Sequence, residues 1–337
     1  MKKVAFLETS QWEKDYLKAF PEFLEITDFY SEAIKIENAS KFQEYEIISC
    51  FINSEFKKEV IDQLPNLKLI VTRSTGFDHI DIQYCKQKGI MVSNVPSYGS
   101  HTVAEYTFAL LLALVRKIYQ AYHQIRESGS FKLENLTGKE LYNKTMGVIG
   151  TGRIGMNVIK IAKGFEMNVL AYDKYPNEEM AQSLGFKYVP LEELLKNSDV
   201  ISLHLPYNEE THHFINKNNI SLIKNGAYLI NTARGGIVET EALYQALKSG
   251  QIAGAALDVL EEEGLVKEEQ ELLAKEEIKE AEKLKKLLLN VIFVDLDNVL
   301  VTPHNAFNTE EALKNLLTTS IENILNYLKG RPENLVN

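Results

Sequence analysis

Met146-Gly147-Val148-Ile149-Gly150-Thr151-Gly152-Arg153-Ile154-Gly155 decides the architecture of this chain. Four residues of strand character run into G-x-G-x-x-G, and Met156–Lys163 continues with helical spacing. Asp173 ends the next strand-like run, Asn168–Tyr172, 18 residues after Gly155. A strand, a glycine-rich turn, a helix and a distal acid form the layout of a dinucleotide site. Gly150 permits the tight turn, Gly152 lets backbone approach a pyrophosphate, and Gly155 lets helix and strand pack closely. The helix start then offers N–H groups and a partial positive charge to phosphate. Asp173 can accept from both ribose hydroxyls while repelling a 2′-phosphate, which favours NAD over NADP. The alternative for the bare motif is a βα turn that binds nothing.

The pattern extends both ways. Val200–Leu203, Ala227–Ile230, Gly254–Val259 and Val299–Thr302 read as further strands on the C-terminal side. Towards the N-terminus, Lys3–Leu7, Glu46–Cys50, Lys68–Thr72 and Ile90–Ser93 read as strands, with helical spacing in Glu55–Gln63 and Ile82–Lys88. Alternating strands and helices imply parallel sheets with crossover helices, hence an α/β protein. His101–Ser128 predicts one long helix, apolar nearly all round at Phe108–Val115, suited to burial between domains or subunits. Gly129–Asn143 reads as a polar linker, Glu261–Asn290 as an inserted surface helix, and Thr309–Lys329 as a C-terminal helix stopped by Gly330 and Pro332.

At 337 residues the chain has room for two domains. A net charge of −10 disfavours nucleic-acid partners. The longest apolar run, Phe108–Val115, is far below a membrane span, and the N-terminus lacks an apolar run of signal-peptide length. Cys50 and Cys85 show no metal-like spacing, so neither zinc nor a disulfide framework is expected. A cytoplasmic protein is the expectation. Only six residues are Arg: Arg73, Arg116, Arg126, Arg153, Arg234 and Arg331.

Three later segments carry chemical groups at strand ends. Asn231-Thr232-Ala233-Arg234-Gly235-Gly236 follows one strand, Asp258-Val259-Leu260-Glu261-Glu262-Glu263 ends another, and Thr302-Pro303-His304 ends a third. Ligands of open α/β sheets sit beyond the carboxyl ends of strands. Arg can fork onto a carboxylate and polarise the neighbouring carbonyl. His can give or take a hydroxyl proton, and Glu can hold the imidazole in one tautomer. Such a set suits hydride exchange between a nicotinamide and a 2-hydroxy or 2-keto acid.

These residues, with Arg73–Asp81, Val95–Tyr98 and Val103–Glu105, give a sequence that resembles the D-2-hydroxyacid dehydrogenase family over nearly its whole length, most closely the NAD-dependent D-lactate dehydrogenase branch. The resemblance implies two doubly wound domains: a flavodoxin-like substrate domain from residues 1–99 plus 305–337, and a Rossmann NAD-binding domain from residues 100–304. It implies that Arg234 binds the substrate carboxylate and keto oxygen, that His304 donates the proton, and that Glu263 pairs with His304, with Glu261 or Glu262 as neighbouring candidates. Asp258 is implied at the nicotinamide carboxamide, Arg153 and Ile154 at the pyrophosphate, Thr232 and Ala233 along the nicotinamide, and Leu205, Pro206 and Thr211 at the adenosine half. Ser74, Thr75, Gly76, Tyr98 and Phe307 are implied around the substrate. Gly99-Ser100-His101, where the branch often has Ser-Pro, and Asn308, where an aromatic is common, depart from the pattern. The implied activity is reduction of pyruvate to D-lactate by a homodimer joined through the cofactor domain, without metal. The alternatives are other 2-keto acids, glyoxylate or hydroxypyruvate, or an NAD(H)-sensing protein of the same fold.

Overall fold

The computed structural model describes residues 3–261 and 281–337. The chain forms two compact units, residues 1–99 with 308–337 and residues 100–307. The return to the first unit comes at Asn308, three residues past the expected point. The backbone N–H groups of Asn305 and Ala306 bond the Asp258 carboxylate of the second unit and keep that segment there.

The first unit holds β1 (Val4–Phe6), β2 (Thr27–Phe29), β3 (Ile47–Cys50), β4 (Leu69–Thr72) and β5 (Met91–Ser93). All pair in parallel in the order β2-β1-β3-β4-β5, the doubly wound order of flavodoxin. The short edge strand β2 was not apparent from sequence. The 55–63 stretch is helical only over Lys58–Ile61, because Phe56 forms a parallel bridge with Ile80. Arg73 lies inside this unit at 1% exposure. Its guanidinium stacks 4.2 Å from the Phe6 ring centroid and bonds the carbonyls of Leu7 and Glu8.

The second unit holds β6 (Thr145–Ile149), β7 (Asn168–Tyr172), β8 (Lys187–Tyr188), β9 (Val200–Leu203), β10 (Ala227–Asn231), β11 (Ile252–Leu257) and β12 (Val299–Val301). Their order, β12-β11-β10-β9-β6-β7-β8, reverses beside β6, which is the Rossmann switch point. β11 begins two residues earlier than expected and ends before Asp258.

The expected single helix over 101–128 is two helices, Ser100–Val115 and Ile118–Ser128. Lys117 sits in the left-handed region at φ 54°, and the N–H of Lys139 takes the Val115 carbonyl at 2.9 Å. That carbonyl belonged to the next helical turn, so the helix stops. Burial follows the break: Phe108, Leu111 and Leu114 are buried, whereas the second helix has no buried residue. Most of the inserted helix expected over 261–290 lies outside the described residues. The described part, Ala281–Asp295, is not merely a surface helix, since Leu289, Asn290 and Phe293 are buried. No described helix is long and apolar enough to cross a membrane.

Candidate active site

The parallel register of the second sheet assembles the site. Ile149, Leu203, Asn231, Leu257 and Val301 form one row across five adjacent strands. The next residues, Gly150, His204, Thr232, Asp258 and Thr302, therefore emerge on one sheet edge. Candidates far apart in sequence meet there because each ends a parallel strand.

The glycine turn carries an open cradle. Gly150 has φ 92°, and a side chain there would strike the His204 carbonyl at 2.7 Å. A Cβ on Gly155 would lie 1.9 Å from the Gly150 carbonyl oxygen, so helix and turn touch through backbone alone. A Cβ on Gly152 would have nothing within 4 Å. The helix Arg153–Gly164 starts beside that space, with Gly152 at its N-cap and no side-chain cap. An uncapped helix start facing open space fits a pyrophosphate. Asp173 stands at the turn, accepting from the N–H of Thr151 at 2.6 Å and from its hydroxyl at 3.0 Å. The Tyr188 hydroxyl, 2.8 Å from that of Thr151, donates into the same chain. A carboxylate held this way is placed to meet ribose hydroxyls, so the residues present fit a dinucleotide.

His204 is a residue the sequence reading passed over. Its backbone faces Gly150, and its Nε2 lies 2.8 Å from the Ser202 hydroxyl. Burial pushes its pKa down to about 3, so it stays neutral. In sequence it is only one more His after a strand. Beyond it, the Thr211 hydroxyl bonds the Pro206 carbonyl at 2.6 Å and closes the turn that follows Leu205.

Arg234 projects from a fixed loop. The Asn231 side chain accepts from the N–H of Ala233 and donates to the Arg234 carbonyl, at 3.0 and 2.9 Å. The Thr232 hydroxyl meets that of Thr107 at 3.0 Å, and Arg234 donates to the Ala233 carbonyl. Gly235 packs so closely that a Cβ would lie 2.0 Å from the Leu260 carbonyl carbon, which locks this loop to the one after β11.

Asp258 anchors the His304 loop. One oxygen accepts from the Thr302 hydroxyl and the Asn305 N–H, the other from the Ala306 N–H at 2.8 Å. Burial raises the Asp258 carboxyl, and these hydrogen bonds oppose that rise. The His304 N–H bonds the Asp258 carbonyl at 2.8 Å, and its backbone is left-handed at φ 53°. Such a conformation in a non-glycine residue costs about 1–3 kcal/mol and persists only where the surroundings enforce it. The Phe307 ring meets the imidazole edge-on, with centroids 6.3 Å apart.

Glu261, one of the candidates to pair with His304, is engaged elsewhere. It is 6% exposed, and its carboxylate meets His213 Nε2 and Lys286 Nζ at 2.8 Å each, and Thr240 through both N–H and hydroxyl. Burial would raise its pKa, but the hydrogen bonds from His213, Lys286 and Thr240 hold it at about 2. Glu262 and Glu263 lie outside the described residues.

In the first unit, Thr72 and Ser93 end neighbouring parallel strands, and Ser74–Gly76 follows the former. The N–H of Val95 bonds the Ser74 carbonyl at 3.0 Å, and the Asn94 side chain bonds that of Thr75 at 2.8 Å. Tyr98 follows on the same segment.

This fold and cradle define a Rossmann-type dinucleotide-binding protein. Residues 108–306 match the family model described as D-isomer specific 2-hydroxyacid dehydrogenase, NAD binding domain. The chain is 39% identical to 2-hydroxyacid dehydrogenase A of Aspergillus oryzae, over 98% of this chain and 93% of that protein. It is 35% identical to the D-lactate dehydrogenase of Escherichia coli, over 99% and 100%. The crystal structure of D-lactate dehydrogenase from Aquifex aeolicus, in complex with NAD and lactic acid, matches with a TM-score of 0.88 at 38% identity, over 99% of this chain and 98% of that one. The chain belongs to the D-2-hydroxyacid dehydrogenase family, and its cofactor is NAD.

Proposed function

We propose that this enzyme is a D-lactate dehydrogenase that reduces pyruvate with NADH. The observation that carries the chemistry is the single row of strand ends bearing the glycine cradle, Arg234 and the His304 loop. When bound, the nicotinamide supplies or receives the hydride. Arg234 takes the substrate carboxylate and polarises the keto oxygen, helped by backbone N–H groups of the Ser74–Gly76 loop. His304 gives its proton to the oxygen as it becomes a hydroxyl, in the pose set by Asp258. Glu263 pairs with that imidazole. Arg153 and Ile154 lie along the pyrophosphate and Asp173 on the ribose. Leu205, Pro206 and Thr211 border the adenosine half, and Thr232, Ala233 and Asp258 the nicotinamide. Tyr98 contacts the substrate, and Phe307 borders its side chain.

A small substrate without phosphate is favoured because Arg73, the cation nearest the Ser74–Gly76 loop in sequence, is buried and spent on Leu7 and Glu8. Larger aliphatic or aromatic keto acids, glyoxylate and hydroxypyruvate are the alternative substrates. The test is a panel of these acids and phosphohydroxypyruvate with NADH oxidation as readout and product chirality scored. The fastest turnover should be with pyruvate, giving D-lactate. Faster turnover of another acid refutes the substrate, and no turnover of any points to an NAD(H) sensor.

We also propose a cytoplasmic homodimer joined through the second unit. Ile118, Tyr119, Tyr122 and Ile125 expose an apolar stripe on one helix, and Phe131 and Leu133 that follow are each 81% exposed. Apolar area of this kind marks an interaction surface. Tyr122→Glu should give a monomer in sedimentation velocity; an unchanged dimer refutes this face.

A further inference from the structure

We propose that His79 is a positioning residue for substrate binding, because its ring N–H heads a one-way hydrogen-bond chain that fixes the Ser74–Gly76 loop. The inference rests on the reading of that loop as a holder of the substrate carboxylate.

The direction of the chain follows from counting protons. The Gly76 carbonyl can only accept, so the Ser74 hydroxyl donates to it, at 2.5 Å. With its single hydrogen spent, Ser74 Oγ accepts from the Thr72 hydroxyl at 2.7 Å. Thr72 Oγ1 then has no hydrogen left for His79, whose Nε2 lies 3.1 Å away. His79 is therefore the donor and carries its proton on Nε2. Cys50 Sγ, 3.9 Å from the same nitrogen, is a weak second contact.

The consequence lies on the other side of each peptide. The Ser74 and Thr75 carbonyls are held by Val95 and Asn94, and the Gly76 carbonyl by the chain from His79. In a trans peptide the N–H points opposite to the C=O. Pinning three successive carbonyls aims the N–H groups of Thr75, Gly76 and Phe77 away from them. None of the three donates to another described residue. Backbone N–H groups that follow one another along a loop can together hold an anion such as a carboxylate. Two carbonyls are held from the β5 side, and only the third depends on His79. Residue 79 therefore acts on the far end of the loop.

The experiment is steady-state kinetics of the full-length enzyme with pyruvate and NADH, resolved into KM and kcat, with the NADH Kd from nucleotide fluorescence. His79→Phe keeps a ring but removes the donor, and should raise the pyruvate KM about fivefold, the worth of one net hydrogen bond. Its kcat and NADH Kd should stay within about twofold. His79→Gln, whose amide N–H can reach the Nε2 position, should restore most of the loss. Thr72→Val, which breaks the chain with little change of volume, should match His79→Phe, and the double variant should be no worse than either. It also serves as the test should His79→Phe not fold. A pyruvate KM unchanged in His79→Phe and Thr72→Val, or a Gln variant no better than Phe, overturns the proposal. Arg234→Gln separates the two levels. If it raises KM while the chain variants are silent, the relay is wrong and the site stands. If all are silent, the substrate reading of the site has failed as well.

Discussion

Replacing Glu261 with Gln tests whether this acid is a structural strut or the partner of the His304 imidazole. The carboxylate is buried and meets His213, Lys286 and Thr240. Its pKa is held at about 2 against an ordinary value of 4.5. At 1.36 kcal/mol per pKa unit, the ionised group adds about 3 kcal/mol to the stability of the fold. Because the folded pKa is depressed, this contribution is present at neutral pH and above 4.5, and is lost as pH falls from 4.5 towards 2. Gln keeps one acceptor oxygen, which can serve Thr240, and turns an NH2 group towards two donors. Glu261→Gln should therefore unfold about 6–12 °C lower at pH 7, at roughly 2–4 °C per kcal/mol for a unit of this size. The stability gap to wild type, measured by urea unfolding, should shrink by about 1 kcal/mol between pH 5 and pH 3.5. The pH profile of kcat should keep its shape, since His304 is not the partner. A gap that does not shrink in acid refutes the electrostatic account. A kcat profile whose His limb moves would mean that Glu261 acts on the imidazole.

Other outcomes follow from the same geometry. His304→Gln should lower kcat about 10²- to 10⁴-fold while NADH still binds in fluorescence titration; turnover near wild type would remove His304 as the proton donor. Asp173→Ala should weaken NADH at least about tenfold, the loss of charge-assisted hydrogen bonds, without a matching loss for NADPH. An unchanged NADH/NADPH ratio would refute the ribose assignment. In Gly235→Ala the new methyl would meet Leu260 and Glu261 backbone at 2.0–2.4 Å, which cannot yield as a side chain can. A loss of about 3 kcal/mol is expected, with a lower kcat as the Arg234 loop shifts; a wild-type Tm would show that the two loops are not locked there.

Sequence alone carried the fold class and the glycine cradle, because both rest on local periodicity and on turns only glycine can make. It also pointed to Arg234 and His304, since in a parallel α/β sheet chemistry gathers at strand ends. Contacts between distant residues lay beyond it. The break after Val115 depends on the N–H of Lys139, which claims a carbonyl the helix needed. Nothing in a run of three acids separates Glu261 from its neighbours until His213, 48 residues earlier, is brought to its carboxylate. Arg73 stood out as one of six arginines, yet the first sheet turns it inward onto Phe6, away from ligand duty. The sequence by itself determined which groups this protein could use; the tertiary structure decided which remain at the edge and which are spent, because burial and pairing are settled by residues far apart in the chain.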